Sequence, residues 1–166
     1  RNGLCRIALD KLKKTYEQDI QEKNIRIIFD NLTLSLMMEV NVEPFSKVLA
    51  GILKNSMYAL LKKSETVTFS PEIFLGLKVN KDMLEITIRD NGSGIDENIK
   101  DKIFAPFFTT KTTGEAAGVG LYLCREIVQN HRGTIEVESK KGEYTQFLIT
   151  IPVYQPKTIT PPKEEE

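Results

Sequence analysis

The sequence predicts an α+β fold, a two-layer sandwich in which helices cover one face of a mixed, mostly antiparallel sheet. Three observations lead there. Residues 73–79 with 84–89, and residues 134–139 with 144–151, are apolar or alternating runs. They are joined by the polar turns Asn80-Lys81-Asp82 and Lys140-Lys141-Gly142, as in β-hairpins. Helix-period stretches precede and separate these pairs. Strands and helices do not alternate one for one, so a doubly wound parallel sheet is not expected.

The elements follow in order. Residues 4–21 read as an amphipathic helix, because Leu4, Ile7, Ala8, Leu12 and Tyr16 recur at helical spacing. Residues 25–29 form an apolar, β-branched run that reads as a strand, and residues 34–40 read as a second short extended segment. Pro44 opens a helix at a position that needs no N–H, and the stripe Phe45, Val48, Leu49, Ile52, Leu53 and Leu60 carries it to about residue 63. After the first hairpin comes a turn over residues 90–94, then a short helix over residues 96–103 capped by Asp96 or by that turn. Residues 104–117 hold two threonine pairs, Pro106 and Gly114 with little periodicity, and read as a long loop of the kind that is often functional. Residues 119–130 are helical again, before the closing hairpin. Residues 1–152 are taken as one domain. Residues 153–166, proline-rich and ending in glutamates, are taken as a disordered tail or linker.

The chain's 166 residues can bury a core without a metal or disulfide staple. Lysine plus arginine equals aspartate plus glutamate at 23 each, so bulk charge points to neither nucleic acid nor an anionic membrane. Any phosphate must be held by local geometry and a bound cation. Cys5 and Cys124 have no paired-ligand spacing and read as reduced thiols, Cys124 on an apolar helical face. No apolar run approaches the ~20 residues needed to cross a bilayer, so the fragment is expected in the cytoplasm, although its parent can be membrane-anchored.

Four groups of residues carry chemistry. Asp90-Asn91-Gly92-Ser93-Gly94-Ile95 follows a strand directly: the carboxylate can accept hydrogen bonds, and the glycines let a ligand approach the main chain. The same six residues would also serve as a plain turn or cap. Gly118-Val119-Gly120-Leu121 begins a helix whose exposed N–H groups can bind phosphate, although a lone Gly-x-Gly also suits a flexible loop. Asn55 lies at the edge of an apolar stripe. Its amide oxygen is a hard ligand suited to Mg²⁺, or it is an ordinary hydrogen-bonded asparagine. Phe104-Ala105-Pro106-Phe107-Phe108 places three phenylalanines in a loop, so the loop is expected to be anchored at its start. The nearby Lys111 can reach a phosphate or remain solvated.

In this order and spacing the groups resemble the ATP-binding domain of bacterial sensor histidine kinases, within the wider family of gyrase, heat-shock-90 chaperones and mismatch-repair ATPases. Residues 48–56 resemble the N box and residues 90–95 the first glycine box. Residues 104–108 resemble the F box, residues 118–121 the second glycine box, and residues 142–147 the final glycine-threonine element. The resemblance implies a Bergerat-type ATP-binding fold that binds ATP with Mg²⁺ and donates the γ-phosphate to a histidine on a separate dimerisation domain, with a response regulator receiver domain downstream. It implies that Asp90 accepts from the adenine amino group, that Gly92 and Gly94 let the base lie against the backbone, and that Asn55 is the catalytic Mg²⁺ ligand. Gly118, Val119, Gly120 and Leu121 would border the triphosphate, Thr145 would lie behind the base near Asp90, and Ile95, Phe104 and Lys111 would complete the nucleotide set. Residues 109–117 would form a lid.

Some positions depart from the family pattern. Gly51 stands where the hydrolytic relatives carry a glutamate, and glycine cannot act as a general base for water. With Tyr58, Ala116 and Tyr144 it leaves a catalytically weak nucleotide-binding module as an alternative, with an ATP hydrolase less favoured. The lone histidine, His131, reads as a helix-end residue and not as the phospho-acceptor.

Overall fold

The computed structural model describes residues 2–31, 42–106 and 120–152. Helices α1 (Asn2–Thr15) and α2 (Glu17–Glu22) lead into strand β1 (Arg26–Asn31). Helix α3 (Val42–Ser64) follows, then strands β2 (Glu72–Asn80) and β3 (Met83–Asp90), a 3₁₀ turn (Lys100–Lys102), helix α4 (Leu121–Asn130), and strands β4 (Thr134–Lys140) and β5 (Tyr144–Pro152). The strands form one sheet in the order β1-β2-β3-β5-β4. Only β1 and β2 run parallel; the other three pairings are antiparallel. Helix α3 packs on β2 and β3, α4 packs on α3 and β4, and α1 packs on α3. This is the mixed sheet with helices on one face that the hairpins predict.

Period-two alternation decides which sheet face is buried. Successive rows across the strands read Phe29–Leu75–Ile88–Phe147–Val137 and Leu77–Ile86–Ile149–Ile135. On α3 they meet Val48, Leu49, Ile52, Leu53, Met57 and Leu60, all fully buried. Cys124 of α4 is also in this core, as its apolar face predicts, and burial pushes its thiol up to about 12. The β2–β3 turn places Lys81 at φ 58°, and the β4–β5 turn places Gly142 at φ 84°, where glycine has no side chain to strain.

Three expectations need correction or bounding. The first helix is not continuous: Tyr16 leaves helical geometry at φ −110°, ψ 25° and divides α1 from α2. The helix expected over residues 96–103 is a turn at Asp96 and a single 3₁₀ turn. The Asp96 carboxylate accepts the Asn98 N–H at 2.9 Å and closes the turn, but the N-cap of the 3₁₀ segment is Ile99, with no side-chain cap bond. The Asp96 turn takes up the start of the stretch, and Pro106, which has no N–H, cannot extend a helix beyond its end. The extended segment at residues 34–40, the lid and the tail lie outside the described residues.

Candidate functional site

One end of the buried sheet face breaks the apolar pattern. The terminal row reads Ile27–Ile73–Asp90–Thr145–Ser139. Asp90 continues the inward series Leu84, Ile86, Ile88, and Thr145 continues Ile151, Ile149, Phe147. Asp90 is 2% exposed and Thr145 4%. Ser56 of α3 lies above the same end, 1% exposed, and its hydroxyl has no hydrogen-bond partner of full geometry among the described residues. It is nonetheless near enough to Asp90 to favour that carboxylate's charge. Three buried polar side chains at one end of an apolar core cost desolvation that hydrocarbon would not, so this end is built for something other than packing.

Burial dominates the electrostatics of Asp90, raising its carboxyl from 3.8 to about 7. The Gly92 N–H, donating to its Oδ1 at 2.9 Å, acts in the opposite direction, as do Ser56, Lys63 and Arg89, without restoring the ordinary value.

The loop after Asp90 is clamped on three sides. Toward β2, the Asn91 side chain accepts the Glu72 N–H at 2.7 Å and donates to the Ser70 carbonyl at 2.8 Å. Toward α3, the Ser93 N–H donates to the Ala59 carbonyl at 3.1 Å, and the Lys63 ammonium donates to the Asn91 carbonyl at 2.9 Å. A Cβ on Gly92 would lie 2.6 Å from the Ala59 carbonyl carbon, so this glycine lets the loop touch α3. Toward the β4–β5 turn, the Gly142 N–H donates to the Ser93 carbonyl at 2.6 Å, the Ile95 N–H donates to Ser139 Oγ at 2.8 Å, and Lys141 pairs with Asp96 at 3.2 Å. Gly94, at φ 69°, presses its missing side chain position onto Lys140.

The remaining expected residues lie on other elements. Asn55 is half-buried on α3, one residue before Ser56. Phe104 anchors the start of its loop, edge-on to Phe147 with centroids 6.3 Å apart, and the Arg125 guanidinium lies 5.7 Å above it. Gly120 precedes α4 at φ −67°, ψ 152° with nothing from the described residues within 4 Å of a Cβ position. Neither that conformation nor packing among the described residues requires a glycine. Among the described residues no side chain caps the α4 N-terminus, which begins with half-buried Leu121. Lys111, Gly118 and Val119 lie outside the described residues. His131 closes α4, its Nδ1 2.8 Å from the Ile127 carbonyl. The sequence reading missed Ser56, Lys63 and Ser139.

Comparison with known proteins places this geometry. The pattern of the histidine kinase-, DNA gyrase B-, and HSP90-like ATPases matches residues 41–155. Cyanobacterial phytochrome A of Nostoc sp. is 34% identical over 149 residues, which is 88% of this chain and 18% of that protein. Sensor histidine kinase AtsR of Burkholderia thailandensis is 33% identical over 149 residues, 84% of this chain and 24% of that protein. The chain therefore spans less than a quarter of each relative's length. Among solved structures, the catalytic domain of histidine kinase ThkA superposes with a TM-score of 0.73 at 28% identity, covering 92% of this chain and 91% of that one.

Proposed function

We propose that this chain, which belongs to the histidine kinase-, DNA gyrase B- and HSP90-like ATPase family, holds Mg-ATP over Asp90 and donates its γ-phosphate to a histidine on a separate dimerisation domain. The observation that carries this reading is the polar end of the core: buried Asp90, Thr145 and Ser56 at the end of an otherwise apolar face. The adenine amino group would donate to the Asp90 carboxylate, and the ring would lie against the clamped loop of Gly92, Gly94 and Ile95. The N–H groups at the start of α4, with Gly118, Val119, Gly120 and Leu121, would face the phosphates. Phe104 would fix one border of the site, and Lys111 would reach a phosphate oxygen.

The described residues offer a cation one hard ligand. Among the described residues no three histidine, cysteine or acidic side chains cluster to hold a metal. The half-buried Asn55 offers a single hard amide oxygen, so Mg²⁺ would be held by that oxygen, the phosphates and water. Bound there, it would neutralise charge on the transferring phosphoryl group. Gly51 supplies no base to activate water, which favours transfer over hydrolysis. In transfer, an acceptor histidine nitrogen bonds to the γ-phosphorus while the bond to the β–γ bridging oxygen breaks and ADP leaves.

The partners proposed are the histidine-bearing dimerisation domain of the parent protein and a response regulator receiver domain downstream. No helix among the described residues is long and apolar enough to cross a membrane; a cytoplasmic location is part of the proposal. Incubation with γ-labelled ATP and the separate acceptor domain should yield acid-labile phosphohistidine. Nucleotide binding with no label on any acceptor would instead favour the catalytically weak module that Gly51, Tyr58 and Ala116 suggest. Steady phosphate release by the chain alone would favour a hydrolase.

A further inference from the structure

The polar row contains hydrogen bonds with a fixed direction. The Ser139 hydroxyl, 9% exposed, accepts the Ile95 N–H at 2.8 Å. It also lies 2.7 Å from the Tyr144 carbonyl oxygen and 3.0 Å from the Thr145 hydroxyl. A hydroxyl has one proton and two lone pairs. A carbonyl can only accept, so the Ser139 proton goes to Tyr144. One lone pair then serves the Ile95 N–H and the other the Thr145 O–H. Every bonding capacity of Ser139 is used, as burial demands. Thr145 stands between Ser139 and Asp90 in the row. With its proton drawn toward Ser139, it offers only lone pairs on the Asp90 side.

We propose that Ser139 is a positioning residue for base selection: by drawing the Thr145 proton away, it leaves Thr145 an acceptor beside the Asp90 carboxylate, so the site takes a 6-aminopurine and rejects a 6-oxopurine. This inference rests on the nucleotide reading above. Adenine carries an amino group, with two protons to give, where guanine carries a carbonyl oxygen. The amino group satisfies acceptors; the carbonyl oxygen sets a further acceptor against them. If Ser139 lost its hydroxyl, the Thr145 rotor would be free to donate, and a 6-oxo oxygen would find a partner.

The test is calorimetric titration of non-hydrolysable ATP and GTP analogues at pH 8, where Asp90 is ionised. The parent chain should prefer the ATP analogue. Ser139→Ala should narrow that preference by about tenfold, while Ser139→Thr, which keeps the hydroxyl, should preserve it. Thr145→Val should also narrow it, and adding Ser139→Ala to Thr145→Val should change the ratio no further, because Ser139 acts through Thr145. An unchanged ratio in Ser139→Ala, or in Thr145→Val if the alanine variant does not fold, would overturn the inference while ATP binding by the parent upholds the site. So would an undiminished Ser139→Ala effect in the Thr145→Val background. A parent chain that binds neither analogue would overturn the nucleotide reading itself, and this inference with it.

Discussion

Gly92→Ala tests whether the loop bearing the site is held by close approach to α3. The added Cβ would meet the Ala59 carbonyl carbon at 2.6 Å, its Cβ at 2.7 Å and its oxygen at 2.8 Å. These lie roughly 0.6–0.8 Å inside ordinary van der Waals contact, and the obstacle is helix backbone. Helix α3 cannot retreat without disturbing Ile52, Leu53 and Leu60, so the loop must move. Its movement would break the Ser93 N–H bond to Ala59 and strain the Gly92 N–H bond to Asp90. Overpacking costs about 1–3 kcal/mol and each lost hydrogen bond about 1 kcal/mol, giving a destabilisation of about 2–4 kcal/mol. For a domain this size that lowers Tm by roughly 5–15 °C, measurable by thermal unfolding followed by circular dichroism. Gly120→Ala is the control. Its site is open at an ordinary φ, so Tm should hold within about 2 °C while nucleotide affinity falls. A Gly92→Ala chain that melts with the parent would refute the close-approach explanation.

Other variants separate the stability of the site from its use. The folded Asp90 binds its proton more tightly than the unfolded chain does, with values of about 7 against 3.8. Stability should therefore fall as pH rises from about 4 to about 7 and level off above, by roughly 4 kcal/mol from this group at most. Asp90→Asn cannot ionise, so its melting temperature should vary less over that range and exceed the parent's at pH 8; an equal slope in both would contradict the assigned burial. Ser56→Ala removes a buried hydroxyl that makes no hydrogen bond of full geometry and only modestly favours the Asp90 charge, so thermal stability at pH 8 should fall only slightly, and titration should show ATP affinity lowered several-fold. A chain that melts markedly lower would show that Ser56 is structural.

Much of this was legible in the sequence, and the misses have physical causes. Both hairpins followed from alternation plus turn residues. The same alternation carried the polar row: Asp90 takes the next inward place after Leu84, Ile86 and Ile88, and Ser139 the next after Ile135 and Val137. Ser56 likewise stands one helical turn beyond Ile52. A polar residue in an apolar frame was thus a readable signal for Ser56 and Ser139, overlooked because serine is common in solvated positions. Lys63 was beyond reach, since its bond to Asn91 depends on how the loop packs on α3. Gly92 was noticed for ligand approach, but the contact with Ala59 is tertiary and leaves no local trace. The turn at Asp96 was visible from that residue, whereas the 3₁₀ segment after it has no side-chain cap to announce it.

The most direct measurement is calorimetric titration of a non-hydrolysable ATP analogue, with and without Mg²⁺, into the parent chain and into Asp90→Asn at pH 8. One-site binding by the parent, strengthened by Mg²⁺ and weakened about ten- to a hundredfold by the loss of one charged acceptor, is the expected result. Equal affinity in the two chains would remove Asp90 from the nucleotide site and contradict the account.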